Sequence, residues 1–209
     1  MTLDIHNIVQ GLAVSRPIFH SEADFQFALA WHIKKMMPEC EVRLEFKPFS
    51  EESMFLDIWL PTIGTVIELK YIRSRIDLEY AGECFSLKEG ASDIERYDFL
   101  KDVSRIERVV ANREGANQGY SILLTNSPSC WEQPSTNKKP TIFEAFRIHE
   151  GRCIKSGEVL AWRANSKPGN ERENPIVLTA PYHMRWQDYS VLGSQRNYQF
   201  RYLAVSVID

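Results

Sequence analysis

The sequence predicts one α/β domain over residues 1–209, with a mixed central β-sheet flanked by helices. Three observations lead to this fold class: a helix begins at Ser21, three short strands follow within 41–72, and a long helix at 92–112 leads to an apolar strand at 120–125. Helices that alternate with strands are typical of α/β folds, because each helix covers one face of the sheet. A chain of 209 residues can bury a core without disulfides or structural metals.

The first long helix is bounded by clear signals. Ser21 can cap its first turn, and Pro38 ends it. Its buried face is predicted from apolar residues at helical spacing, namely Phe25, Leu29, Ile33 and Met36 or Met37. Residues 1–20 are expected to form a lead-in with a short helix.

The next elements are strands at 41–49, 55–60 and 65–72. The link at 61–64 is short enough to make the last two an antiparallel hairpin. Residues 73–90 are expected to be irregular, with a small excursion at 84–87. The helix at 92–112 is predicted from a helical apolar stripe: Ile94, Tyr97, Leu100, Val103, Ile106 and Val110.

Residues 127–209 form a predicted β-rich extension of a core at 21–126. A long polar loop occupies 126–141, and a short helix is expected at 142–147. Strands are expected at 157–162 and 198–208, and an aromatic segment precedes the last of them. We expect the extension to complete the sheet and to offer a substrate or partner surface.

The charge balance excludes a basic surface over the whole molecule. Lys and Arg number 25 against 28 Asp and Glu, which gives a net charge of −3. Residues 1–69 carry 5 basic and 10 acidic side chains, whereas 137–172 carry 8 basic and 4 acidic ones. This asymmetry suits a metal site beside an anion-binding surface, and it equally suits ordinary scattered surface charge.

Several protein classes are not expected from the sequence. No run of 18 apolar residues is present, so we expect no membrane span, and no signal peptide is visible at the N-terminus. The four cysteines are widely spaced, which predicts neither a disulfide framework nor a zinc site. A cytoplasmic location is therefore expected.

Three ionisable residues interrupt two apolar strands. Asp57 lies within FLDIWL, while Glu68 and Lys70 lie within TVIELKYI. Residues two apart in a strand share a face, so Glu68 and Lys70 project together, and the hairpin brings Asp57 beside them. Burying such groups unpaired costs several kcal/mol each, so a compensating partner is expected.

A divalent cation is one such partner. The Asp57 and Glu68 carboxylates and the Leu69 backbone carbonyl would form a hard oxygen site suited to Mg²⁺, with Mn²⁺ as a substitute. Lys70 would then hold the attacking water and offset negative charge. The alternative is a structural cluster of ion pairs at the sheet edge.

The string Asp57-x10-Glu68-Leu69-Lys70, on successive strands after a helix, resembles the PD-(D/E)XK nuclease superfamily. The predicted order α-β-β-β-α-β over 21–126 is similar to the restriction-endonuclease-like core of that superfamily. The resemblance implies that Asp57 and Glu68 bind the metal and that Lys70 is the catalytic lysine. It also implies an additional acid from the first helix, for which Glu22 stands in the right place.

Two positions depart from family patterns. Leu56, not proline, precedes Asp57. Tyr97 matches the tyrosine of the QxxxY motif found in one subgroup, but Asp93 stands where the glutamine would be.

Further residues are candidates for contact with nucleic acid: Arg96, Tyr97, Lys101, Arg105, Lys138 and Lys139. Each also has a simpler interpretation. The cations on the second helix are typical of a solvated face, Tyr97 of a core position, and the two lysines of a solvated loop.

The resemblance implies a Mg²⁺-dependent endodeoxyribonuclease that acts in restriction, repair or phage defence. A homodimer is expected for double-strand cleavage. The alternative is a module that binds nucleic acid or protein without cutting, which the aromatic C-terminal third favours.

Overall fold

A computed structural model describes residues 3–135, 140–164, 169 and 172–208. The helices within these residues are α1 (Ile5–Ser15), α2 (Glu22–Met36), α3 (Ser92–Asn112) and the short α4 (Pro128–Trp131). The first six strands are β1 (Arg43–Phe46), β2 (Leu56–Leu60), β3 (Thr65–Ile72), β4 (Ile76–Tyr80), β5 (Glu83–Leu87) and β6 (Gln118–Thr125). The later strands are β7 (Cys153–Ile154), β8 (Val159–Leu160), β9 (Ile176–Val177), β10 (Tyr182–His183), β11 (Trp186–Val191) and β12 (Gln199–Ile208).

The central sheet has six strands in the order β1-β2-β3-β6-β12-β11. Strands β1, β2 and β3 form an antiparallel meander, while β6 runs parallel to β3 after the α3 crossover. Strands β12 and β11 then add antiparallel neighbours beyond β6. The sheet is therefore mixed, which confirms the predicted α/β class.

The turn between β2 and β3 depends on one glycine. A single 3-10 turn at Pro61–Ile63 ends at Gly64, which has a φ of 61°. A Cβ at this position would lie 2.4 Å from the Gly115 carbonyl oxygen, so both the backbone conformation and the space require glycine. This turn fixes the register in which β2 and β3 pair.

Helices cover both faces of the sheet. The core on one face joins α1 and α2 to Ile67, Leu69 and Tyr71 of β3. The core on the other face joins α3 to Val66 and Ile72 of the same strand. Since residues two apart share a face, Glu68 and Lys70 lie on the α3 side.

The helix caps follow the sequence signals. The Ser21 side chain accepts a hydrogen bond from the Asp24 amide at 3.1 Å, and Asp4 caps α1 in the same way. The predicted inner stripe of α2 is buried at Phe25, Leu29 and Ile33, whereas Met36 is half exposed.

Several element predictions were wrong. Residues 73–90 hold the β4–β5 hairpin, whose exposed charged residues obscure the buried Ile76, Phe85 and Leu87. No element was predicted for the aromatic segment at 182–189, which holds β10 and the first part of the sheet strand β11. The expected strand at 41–49 shortens to β1, that at 157–162 shortens to β8, and the short helix at 142–147 is one 3-10 turn.

The C-terminal extension is held to α3 by polar contacts. The Glu107 carboxylate accepts hydrogen bonds from the Thr179 and Ala180 amides and from the Tyr182 hydroxyl, at 2.8 to 3.1 Å. Asp98 accepts two hydrogen bonds from the Arg172 guanidinium. Within the described ranges, no helix is long and apolar enough to cross a membrane.

Candidate active site

The candidate site lies where the β2–β3 ladder ends. Backbone pairing between the strands runs from Leu60 opposite Thr65 to Ile58 opposite Ile67. Beyond this point acidic side chains bond to backbone amides. Asp57 Oδ2 accepts a hydrogen bond from the Leu69 amide at 2.6 Å, and Glu68 Oε2 accepts one from the Asp57 amide at 3.3 Å.

Asp57 and Glu68 are therefore held together by reciprocal contacts between the two strands. Asp57 is partly buried and Glu68 is only 3% exposed. Gln26 of α2 supports the same segment, because its amide donates a hydrogen bond to the Asp57 backbone carbonyl at 2.9 Å. The structure thus places the two predicted acids side by side.

Lys70 and Glu22 form the second part of the site. The Lys70 Nζ atom lies 3.3 Å from Glu22 Oε1, and Glu22 Oε2 accepts a hydrogen bond from the Tyr71 amide at 2.7 Å. Glu22 reaches the strand because it begins α2 directly after the Ser21 cap. The structure therefore brings Glu22 to the predicted lysine.

Helix α3 adds two residues to this group. Arg105 donates a hydrogen bond to Asp102 Oδ1 at 2.9 Å, and its Nη2 atom lies 3.2 Å from Glu68 Oε1. Asp102 Oδ2 lies 3.8 Å from Lys70 Nζ. The same guanidinium also donates to the Phe55 carbonyl, which fixes it beside β2.

Sequence reasoning missed Asp102 as a site residue, because its spacing to Arg105 is that of an ordinary pair along a helix. The position of Asp102 along the helix nevertheless indicated that it is buried. Asp102 lies between Phe99 and Ile106 at helical spacing, so a charged residue occupies the buried stripe of α3.

The acids of this cluster are poorly neutralised. Burial raises the pKa of Glu68 well above its usual range, and the neighbouring Asp102 carboxylate raises it further although Arg105 opposes this. Burial raises the pKa of Asp102 from its ordinary 3.8 to about 6, even with Lys70 and Arg105 nearby. Burial also raises the pKa of Asp57.

The pKa of Lys70 is also raised, but by its charged neighbours and not by burial. Burial alone would lower the pKa of its ammonium group, but the carboxylates of Asp102, Glu22 and Asp57 outweigh burial and raise it. Lys70 is therefore cationic at neutral pH, and it lies in a strongly negative environment.

The cluster holds more acidic than basic side chains. When all are ionised, the carboxylates of Glu22, Asp57, Glu68 and Asp102 exceed the two cations of Lys70 and Arg105 by two negative charges. Glu68 Oε1 is a buried oxygen that makes no hydrogen bond, because its approach to Arg105 lacks the necessary geometry. Hard carboxylate oxygens are the ligands that Mg²⁺ prefers.

The side chains do not form a preorganised metal-binding site. Among the described residues, no three His, Cys, Asp or Glu side chains are grouped so that they could hold a metal ion. The reason is visible in the contacts, since Asp57 bonds to the Leu69 amide, Glu68 lies against Arg105, and Glu22 pairs with Lys70.

An open cleft of about 830 Å³ borders the cluster. Its lining includes Lys101, Asp102, Arg105 and Arg108 of α3, together with Lys70 of β3. Segment 51–54 also lines the cleft, and Arg108 makes a 2.6 Å ion pair with Glu52 of this segment. Both cations and acids therefore line the cleft.

Two predicted nucleic-acid contacts are corrected by burial. Arg96 is 3% exposed, and it donates hydrogen bonds to the Ser129 carbonyl and hydroxyl oxygens. Tyr97 is 1% exposed, packs against both Phe146 and Trp162, and donates to a backbone carbonyl. Both side chains hold the extension against α3, so neither is available to a bound nucleic acid.

The remaining predicted contacts divide between the cleft and the rest of the chain. Lys101 and Arg105 line the cleft. Lys138 and Lys139 lie outside the described residues.

Comparisons of the chain with protein-family models, with curated proteins and with solved structures find no match.

Proposed function

We propose that this protein is a metal-dependent nuclease that hydrolyses phosphodiester bonds in DNA. The observation that carries the proposal is the meeting of Asp57, Glu68 and Lys70 where β2 and β3 stop pairing, beside an open cleft. An ordinary structural sheet does not need three ionisable groups at such a point, since their burial is costly.

The topology supports the same proposal. Helix α2, the antiparallel meander β1–β3, helix α3 and strand β6 parallel to β3 follow one another in the order of a restriction-endonuclease-like core. We assign this core to residues 21–126. The β4–β5 hairpin is an insertion between β3 and α3.

Asp57 and Glu68 would hold Mg²⁺, or Mn²⁺ as a substitute, with the Leu69 carbonyl as a further oxygen ligand and Glu22 as an additional acid. The cation would supply Lewis acidity and lower the pKa of a bound water. The fit rests on the excess negative charge and on the Glu68 oxygen that lacks a hydrogen bond.

The residues of the chain have separate tasks in this mechanism. Lys70 stays protonated, so it orients the attacking water and offsets negative charge that develops on the phosphate. Glu22 and Asp102 position the Lys70 ammonium group from two sides. Lys101 in the cleft wall would attract the phosphate backbone.

The test is cleavage of supercoiled plasmid and linear DNA in the presence of Mg²⁺ or Mn²⁺. We expect the wild type to cut and both Asp57→Ala and Lys70→Ala to lose roughly a hundredfold or more in rate. Asp93→Ala, at the start of α3 and outside the cluster, is the matched acidic control and should retain the rate. Equal cutting by the wild type, Asp57→Ala and Lys70→Ala would contradict the proposal.

The second candidate is a module that binds nucleic acid or protein without cutting. The observation that favours it is the pairing of Glu22 with Lys70 and of Glu68 with Arg105, which satisfies part of the charge within the protein. A protein that binds DNA but shows no affinity for Mg²⁺ or Mn²⁺ would favour this candidate. For either activity, restriction, repair and phage defence are the settings that we propose.

A further inference from the structure

An exposed cysteine and an exposed histidine stand opposite each other in the C-terminal extension. Strands β7 and β10 pair antiparallel, and Cys153 lies directly across from His183. The Cys153 Sγ atom lies 3.6 Å from His183 Nε2 and 3.8 Å from the Ile154 carbonyl oxygen, both within hydrogen-bond distance of a sulfur atom. The imidazole nitrogen is therefore the nearer of two acceptors for the thiol proton.

The two-stranded ribbon that carries this pair is anchored in the core. Ile154, Tyr182 and Met184 are buried on its inner side. The Tyr182 hydroxyl also donates a hydrogen bond to Glu107 of α3 at 2.8 Å. The register of two strands thus holds the thiol against the imidazole, because residues directly opposite each other in an antiparallel pair have neighbouring side chains.

The outer face of the ribbon is positively charged. Burial alternates along residues 182–186, so the exposed Arg185 lies on the same face as the histidine. Lys155, two residues beyond the cysteine, is exposed as well. The acid in this segment, Glu158, lies 3.6 Å from the Arg152 guanidinium, which offsets its charge. Positive charge favours the thiolate form of a cysteine and attracts anionic reagents.

The other exposed cysteine has a different neighbour. Cys84 lies on β5, directly across from Glu79 of β4. Within the part of the chain that the structure describes, Cys153 is the only cysteine whose sulfur contacts a histidine. A carboxylate is a much weaker base than imidazole, so it is poorly suited to take a thiol proton. Cys40 and Cys130 are buried and offer no accessible sulfur.

We propose that Cys153 is a reactive thiol that exchanges with small anionic disulfides such as oxidised glutathione. His183 Nε2 takes the thiol proton, and the Cys153 Sγ thiolate attacks one sulfur of the disulfide. A bond forms between Sγ and that sulfur while the S–S bond of the reagent breaks. The other half leaves as a thiolate and accepts a proton. Cys153 is thereby oxidised to a mixed disulfide and the leaving half is reduced to a thiol.

This modification site does not depend on nuclease activity. It requires an accessible sulfur, a base in contact with it and a positively charged surface, and the β7–β10 ribbon provides all three.

The rate of reaction with dithiobis-nitrobenzoate, an anionic disulfide with a coloured leaving thiolate, tests the proposal at pH 7. Cys84→Ser leaves Cys153 as the exposed cysteine, and Cys153→Ser leaves Cys84. We expect Cys84→Ser to react about tenfold faster than Cys153→Ser, or more. Adding His183→Asn to Cys84→Ser removes the base but keeps a polar side chain, so it should slow the reaction by about tenfold.

Three controls accompany this comparison. In urea, where the contact with His183 is lost, Cys84→Ser and Cys153→Ser should react at similar rates. Adding Arg185→Gln to Cys84→Ser should slow the reaction with the anionic reagent but not with the neutral disulfide dithiodipyridine. Mass spectrometry of the wild type after treatment with oxidised glutathione should find the mixed disulfide on Cys153.

Equal rates for the two exposed cysteines in the folded protein would overturn the proposal. So would an unchanged rate on adding His183→Asn at an unchanged melting temperature, or a difference between Cys84→Ser and Cys153→Ser that persists in urea. A mixed disulfide on Cys84 in place of Cys153 would also overturn it. Equal slowing of the anionic and the neutral reagent by Arg185→Gln would contradict the preference for an anionic disulfide.

Discussion

Replacing Asp102 with asparagine should stabilise the protein at neutral pH in the absence of divalent cations. Burial raises the pKa of Asp102 from 3.8 to about 6, so the native state holds this proton to a higher pH than the unfolded chain does. The group therefore lowers stability progressively as the pH rises from about 4 to about 6, and lowers it fully above that range. A rise of this size corresponds to about 3 kcal/mol.

The expected gain for Asp102→Asn at pH 7 is about 1–3 kcal/mol, because asparagine keeps only part of the contact with Arg105. For a chain of this length that gain raises the melting temperature by about 2–4 °C per kcal/mol. The gain should fall to about 0.5 kcal/mol at pH 4 and disappear below about pH 3, where the aspartate is protonated in both states. Added Mg²⁺ should narrow the difference, since a bound cation would offset the excess charge in the wild type.

Thermal denaturation at pH 4 and pH 7, with and without Mg²⁺, measures this effect. Asp98→Asn is the matched control, because Asp98 lines the same cleft but pairs with Arg172. A melting temperature for Asp102→Asn below that of the wild type at pH 7, or an equal gain in stability at both pH values, would refute the reasoning.

Three further changes test other parts of the structure. Glu107→Ala leaves the Tyr182 hydroxyl and two backbone amides without their acceptor. Urea denaturation should therefore show that the free energy of unfolding falls by about 3 kcal/mol, and a fall below about 1 kcal/mol would contradict this role. Gly119→Ala places a Cβ 2.2 Å from Ile106 Cγ2, so it should lower the free energy of unfolding by about 1–3 kcal/mol. An unchanged melting temperature would show that α3 and β6 pack less closely than described. Arg96→Met should destabilise the protein by about 2 kcal/mol but leave the DNA affinity of the folded fraction unchanged. Weaker DNA binding by the folded fraction would show that Arg96 is accessible to DNA.

The elements of the core could be predicted from sequence because their signals are local. The cap at Ser21, the stop at Pro38 and the stripe of α3 each follow from the spacing of neighbouring residues. The β4–β5 hairpin was missed because its few core-facing residues, Ile76, Leu78, Phe85 and Leu87, are interspersed with exposed charged residues such as Asp77 and Glu79. Strand β11 was missed because its pairing with β12 is decided by tertiary contacts.

Only part of the candidate site could be predicted from the sequence. The proximity of Asp57, Glu68 and Lys70 could be predicted, because strand periodicity and a short hairpin determine it. The contacts of Asp102 and Arg105 with this site could not be predicted, because they depend on how α3 crosses the sheet. The burial of Tyr97 agrees with its place in the apolar stripe of α3. The burial of Arg96 was missed because the C-terminal extension covers it, and no local pattern reports that packing.

Calorimetric titration of Mn²⁺ into the protein tests the central claim, that Asp57 and Glu68 hold a divalent cation, without any assumption about substrate. We expect the wild type to bind, and Asp57→Asn to bind about tenfold more weakly or worse, while Asp98→Asn binds as the wild type does. Affinity should fall as the pH is lowered, because protons compete for carboxylates whose pKa burial has raised. Equal Mn²⁺ affinity in the wild type and Asp57→Asn, or no binding by the wild type, would contradict the claim.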